Sequence, residues 1–90
     1  MKKLTAIFKV LANERRLRIL KILLVRKELS VSEMANKIGL SYKSTSKHLI
    51  ILEKAGFLQY RMEQMHTFYS INNKLEKSKL QLLEMIRKNK

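Results

Sequence analysis

Proline is absent from this 90-residue chain, and glycine occurs only at Gly39 and Gly56. With so few residues able to break a helix or supply a left-handed turn, most of the chain is left to run as helical segments. Leu4, Ile7, Phe8 and Leu11 recur at helical spacing and predict a first helix over about Lys3 to Ala12. Asn13 suits the N-cap of a second, about Glu14 to Arg26, whose apolar face is Leu17, Leu20 and Leu24 widened by Ile19 and Leu23. Ser30 with Glu33 three residues on has capping-box spacing. Val31, Met34, Ala35 and Ile38 continue it as a short third helix that Gly39 ends in a left-handed cap. Ser41 caps a fourth helix, about Tyr42 to Ala55, with Thr45, Leu49 and Leu52 turned inward and Gly56 as its stop.

After Gly56 the pattern changes. FLQYRMEQMHTFYSI is rich in aromatic and long apolar residues with loose period-two alternation, which predicts two strands. They run about Leu58 to Met62 and Thr67 to Ile71, with a turn near Glu63 to Met65. Leu75, Leu82, Leu83 and Ile86 then mark a last helix, about Lys74 to Arg87.

A chain of this length makes one domain with a thin core, so association with a second copy is expected. With no cysteine there is no disulfide framework, no thiolate metal site and no thiol nucleophile. The opening MKKLTAIFKVLA has the lysines and apolar run of a signal peptide, but Lys9 interrupts the run and the pattern passes into another amphipathic helix. The longest apolar stretch, ILKILLV, is too short to span a bilayer and contains Lys21. A cytoplasmic protein without membrane partners is expected. Paired carboxylates, a nucleophile with a base at workable spacing and a phosphate loop are all missing, so no enzyme activity and no cofactor are expected.

The net charge is +13, from 20 basic and 7 acidic residues. Nucleic acid is the first partner this suggests, because each neutralised phosphate releases condensed counterions; an anionic membrane or ribosomal RNA shares the same charge. The excess is unevenly placed. Residues 1–27 hold nine basic groups and one acid, whereas residues 41–55 hold three and one.

The third and fourth helices have the helix-turn-helix pattern: a short helix, a turn with a glycine, and a longer helix whose first two turns are polar. The second helix of such a pair puts its N-terminal turns into the DNA major groove. Here they read SYKSTSKH. Ser41, Tyr42, Lys43, Ser44, Ser46 and Lys47 are the expected DNA-contacting residues, since hydroxyls and lysines can address base edges or phosphates. The two strands form a wing that lies along the backbone or enters the minor groove, with Arg61, Gln64 and His66 near its tip. Arg16, with Arg15 and Arg18, is placed to reach flanking phosphates. Lys43 and Lys47 also fit a merely solvated face. His48 reads as a helix residue touching phosphate or the core edge, and His66 as an exposed wing residue.

VLANERRLRILKIL, ELSVSEMANKIGLSYKSTSKHLIILEKAGFL and YRMEQMHTFYSIN, in that order and without gaps over about Val10 to Asn72, resemble the ArsR/SmtB-type winged-helix repressors. The resemblance implies a mostly α (α+β) winged helix-turn-helix domain over residues 1–90, with about five helices and a two-stranded β-hairpin wing. It further implies a homodimeric repressor that reads an inverted-repeat operator in double-stranded DNA through helix 42–55 and the wing 58–71. The terminal helices, 3–12 and 74–87, would join the dimer through Leu4, Ile7, Phe8, Leu11, Leu75, Leu82, Leu83 and Ile86. The apolar stripe on the last helix also fits packing onto its own domain. A winged-helix module that binds protein or RNA without DNA sequence preference is the alternative reading.

Two departures from the family pattern concern local geometry. Glu14 stands where the family often has proline, and Gln64 where the wing turn often has glycine. Two more concern metal. Metal-sensing relatives carry cysteines where Ser30 and Ser32 stand here, and a second family site on the last helix needs Asp and His, which residues 74–90 lack. A neutral hydroxyl is a poor ligand for soft ions. No metal is expected, and Ser30 is read as a cap.

Overall fold

The computed structural model describes residues 1–89. Its elements are α1 (Lys2–Leu11), α2 (Glu14–Val25), β1 (Leu29–Ser30), α3 (Val31–Ile38), α4 (Tyr42–Lys54), β2 (Leu58–Glu63), β3 (His66–Ile71) and α5 (Lys77–Lys88). Five helices and a small antiparallel sheet of order β1-β3-β2 make a winged helix-turn-helix. α2 is the beam on which α1, α3, α4 and α5 all rest. Its Ile19, Leu20 and Leu23 are buried with Met34 of α3, Leu49 and Leu52 of α4, and Phe57 and Leu58 at the sheet. Among the described residues no helix is long and apolar enough to cross a membrane.

Local chemistry accounts for the helix boundaries. Asn13 accepts from the Arg16 amide at 3.1 Å to start α2. Ser30 Oγ accepts from the Glu33 amide at 3.1 Å while Glu33 Oε1 accepts from the Ser30 amide at 2.8 Å, a complete capping box. Gly39 closes α3 at φ 70°, and Gly56 follows α4 at φ 90°, conformations that disfavour any side chain.

Three features differ from the sequence reading. First, β1 is an additional strand. Its Leu29 pairs with Tyr69 and its Ser30 with Phe68, adding a third strand to the wing. Ser30 has φ −74° and ψ 164°, which serves both a strand residue and a helix N-cap, so the strand runs straight into α3. Second, the hairpin is longer and its turn tighter. Glu63 pairs with His66, leaving a two-residue loop of Gln64 (φ 48°) and Met65 (φ 67°). Positive φ at both positions gives the turn whose twist matches a right-twisted hairpin.

Third, α5 begins at Lys77 rather than near Lys74. Asn72 donates to the Gly56 carbonyl at 3.1 Å and its side-chain oxygen accepts from the Lys74 amide at 2.9 Å. This Asx turn holds the chain out of helix through Leu75.

The two serines at the head of α3 therefore carry unequal weight. Ser30→Ala removes the cap and is expected to destabilise the protein by about 1 kcal/mol. Ser32→Ala, at an exposed position, is expected to change stability by less than about 0.5 kcal/mol. Urea midpoints of the two variants check the contrast.

Candidate nucleic-acid interface

α4 is amphipathic in a way that separates anchoring from contact. Thr45, Leu49 and Leu52 are buried in the body of the domain. Tyr42, Ser46 and Ile50, four residues apart in turn, line the outer face with Lys43 and Lys47 beside them. Together with Ser41 and Ser44 they border an open groove of about 540 Å³. Lys43 and Lys47 are exposed and have no carboxylate partner among the described residues. The first turn of α4 carries no acid, so nothing there offsets the positive end of the helix dipole. The result is a cationic, hydroxyl-lined helix start, suited to phosphate oxygens and base edges.

Several side chains assigned to contact from the sequence are occupied otherwise. Ser41 is the N-cap of α4, its Oγ accepting from the Ser44 amide at 3.1 Å, which leaves the hydroxyl proton and one lone pair. Arg16 does not reach outward. Its Nε donates to the Val10 carbonyl at 2.6 Å and its Nη2 to the Lys9 carbonyl at 3.4 Å, satisfying the C-terminal carbonyls of α1. Its Nη1 lies 3.3 Å from His48 Nδ1 on α4. Of its two neighbours, Arg15 is exposed and Arg18 donates to the Lys37 carbonyl at the end of α3.

Arg61 is likewise displaced from the wing tip. It lies within β2 opposite Phe68, 4.6 Å above that ring, with a bidentate pair to Glu28 at 2.8 Å and a third bond to Glu63 at 2.7 Å. Hydrogen bonds from Arg61 hold the Glu28 carboxyl below its usual range. Gln64 and His66 stand at or beside the tip, exposed as expected.

Of the residues assigned to a dimer interface, Leu11 and Leu83 are core residues, Leu83 only 3% exposed. Ile7, Leu75, Leu82 and Ile86 are half-buried against the same core. The apolar stripe of α5 thus faces its own domain. The apolar surface left outward is Leu4 and Phe8 on α1, with Leu80 and Met85 flanking the stripe on α5.

Ile50, 41% exposed, is a surface residue that the sequence reading does not single out. Its signal lies in the helical period: with Leu49 and Leu52 inward, Ile50 must face out, eight residues from Tyr42.

Guanidinium offers only donors, so the Arg16 contact favours the His48 tautomer with a bare, accepting Nδ1. Burial, together with Arg16, Arg15 and Lys47, holds this histidine below the ordinary 6.5. A histidine depressed in the folded state contributes stability that is full above its unfolded pKa and lost as pH falls through the folded one. The protein is therefore expected to lose stability as pH drops below about 6.5. His48→Gln, which can accept from Arg16 without charging, is expected to flatten that part of the dependence. Urea midpoints of both proteins from neutral to mildly acidic pH make the comparison, and equal slopes would exclude the Arg16–His48 contact as the source.

The family model described as "Bacterial regulatory protein, arsR family" matches residues 13–60. The transcriptional activator HlyU of Vibrio cholerae is 37% identical over 84 residues, covering 93% of this chain and 77% of that protein. The solved structure of reduced HlyU superposes with a TM-score of 0.76 at 35% identity over 98% of this chain and 92% of that one. A CadC homologue of Staphylococcus aureus, a cadmium resistance transcriptional regulatory protein, is 35% identical over 74% of this chain but only 55% of its own length. The homodimeric winged helix-turn-helix DNA-binding domain of Mb0332 from Mycobacterium bovis superposes with a TM-score of 0.79 at 27% identity, covering 96% and 76% of the two chains.

Proposed function

The chain belongs to the arsR family of bacterial regulatory proteins, DNA-binding transcriptional regulators rather than enzymes, and from that premise we propose a homodimeric repressor that reads an inverted-repeat operator. α4 enters the major groove, and β2–β3 lies on the adjacent backbone or minor groove. The observation that carries this reading is the outer face of α4, where Lys43 and Lys47, without a carboxylate partner among the described residues, flank Tyr42, Ser46 and Ile50. The lysines neutralise phosphate or address guanine, the serines share hydrogen bonds with base edges, and Tyr42 and Ile50 offer apolar contact to thymine methyl groups.

Dimerisation is supported by the outward apolar side chains of the terminal helices and by the homodimeric Mb0332 domain. Leu4 and Phe8 lie one helical turn apart on α1, and Phe8 is 51% exposed. A two-fold dimer presents two copies of α4, and the operator repeats its half-site to match. Repression follows where that operator overlaps a promoter. HlyU carries the name of an activator, so the direction is tested by deleting the gene: transcripts under its operator should rise, whereas a fall would make it an activator.

Anisotropy titrations against the DNA upstream of its own gene and a shuffled duplex test the DNA reading. Specific affinity is expected to exceed nonspecific by about 10³ or more at physiological salt. Lys43→Ala with Lys47→Ala should lower it by at least about tenfold. It should also flatten the log–log salt slope by about 0.9 for each phosphate no longer neutralised. Unchanged affinity and slope would remove α4 as the reading element. For the dimer, Phe8→Glu is expected to halve the mass seen in sedimentation while leaving helical circular dichroism intact. A dimer that survives it would place the interface elsewhere.

A further inference from the structure

The hairpin leaves the body of the domain as an arm, since β2 is buried at Leu58 and exposed from Tyr60 to Glu63. Its loop is closed by Gln64 and Met65, both at positive φ. Asparagine and glycine serve that geometry without strain, and a long side chain does not. Met65 is nevertheless there, 97% exposed, so its side chain contributes nothing to packing within the fold. A strained backbone position holding an apolar side chain in water has no explanation inside the chain, and such outliers cluster where a protein meets its ligand. The electrostatics of the tip agree. Glu63, the carboxylate beside the loop, is paired with Arg61 at 2.7 Å, and neither Gln64 nor His66 adds a negative charge.

We propose that Met65 is a wedge, which the wing inserts into the DNA minor groove beside the bases under α4. The proposal rests on the DNA reading above and deepens it. The minor groove is about 6 Å wide, so one unbranched side chain at a turn enters where the two-stranded ribbon does not. Methionine is among the apolar residues that architectural proteins press between base steps, partly unstacking them. The step should be pyrimidine–purine, the kind most easily unstacked. This gives the protein a sequence preference outside the bases that α4 touches, at a distance set by the length of the hairpin.

The test uses a duplex selected by the wild-type protein from a randomised pool, with 2-aminopurine at the step expected under the wing. Gln64→Asn with Met65→Gly supplies the relaxed turn, so Tm should rise while affinity for the selected duplex falls by about tenfold or more. The salt slope should hold, because the same phosphates stay neutralised. The 2-aminopurine should brighten with wild type and with Met65→Leu, and stay dark with the relaxed turn. A raised Tm with affinity and fluorescence equal to wild type would overturn the wedge while leaving α4 readout standing. Failure of the wild type to select any sequence would overturn both, so the two failures are distinguishable.

Discussion

Arg16 ties three helices together at one point, and the orientation of α4 depends on it. Its guanidinium closes the C-terminal carbonyls of α1 through Lys9 and Val10 and gives its remaining edge to His48 of α4, while its own backbone begins α2. Fork-like donors in a fixed plane suit such a junction better than a point charge. The charge is not bare, since two carbonyl oxygens and a neutral imidazole surround it. His48 lies next to Lys47 in sequence and one turn beyond Thr45, so the clamp also fixes which way α4 turns its outer face. α2 contributes the apolar half of the same job through Ile19, Leu20 and Leu23.

A second junction does for the wing what Arg16 does for the helices. Arg61 joins Glu28, just before β1, to Glu63, at the end of β2, and covers Phe68 of β3. Exposed ion pairs contribute little singly. This one is bidentate and lies over an aromatic face, so it favours a single hairpin orientation more than it adds stability. Both arginines that looked free to meet phosphate thus have partners within the chain, whereas Lys43 and Lys47 of α4 have no carboxylate partner among the described residues. The basic excess over residues 1–27 falls mainly outside α4 and sets the field in which a polyanion approaches.

What was legible in the sequence was local. The capping box at Ser30 and Glu33, the left-handed stop at Gly39, and the inward set of Thr45, Leu49 and Leu52 each depend on residues within one or two turns, and all appear as read. What was hidden depends on distant partners. β1 exists because Leu29 and Ser30 find Tyr69 and Phe68, some forty residues on. Arg16 and Arg61 read as DNA-contacting because the fold sets their partners: the angle between α1 and α2 brings the Val10 carbonyl to one, and the sheet brings the Glu28 carboxylate to the other. The late start of α5 depends on Asn72 reaching back to Gly56. The apolar stripe of α5 was visible, but its destination was not, since periodicity reports that a face is buried and not what buries it.

The exposed apolar residues form patterns rather than scatter. Isolated apolar side chains on a surface are ordinary. Here Leu4 and Phe8 follow the helical period on α1, Tyr42 and Ile50 follow it on α4, and Tyr60 and Met62 follow the strand period on β2. α5 extends the same logic, with its buried stripe in the middle and Leu80 and Met85 at the edges, so its apolar face is wider than its own domain covers. These outer residues extend core-facing stripes past what the core covers: on β2, Tyr60 and Met62 share the face of buried Leu58, and on α1, Leu4 lies two turns from buried Leu11. A thin-cored chain of this size gains by giving those outer faces partners. The terminal helices suit a second copy of the chain, and α4 with the wing suits nucleic acid. Under the proposed function, association and recognition then use the parts of those elements that the core leaves uncovered.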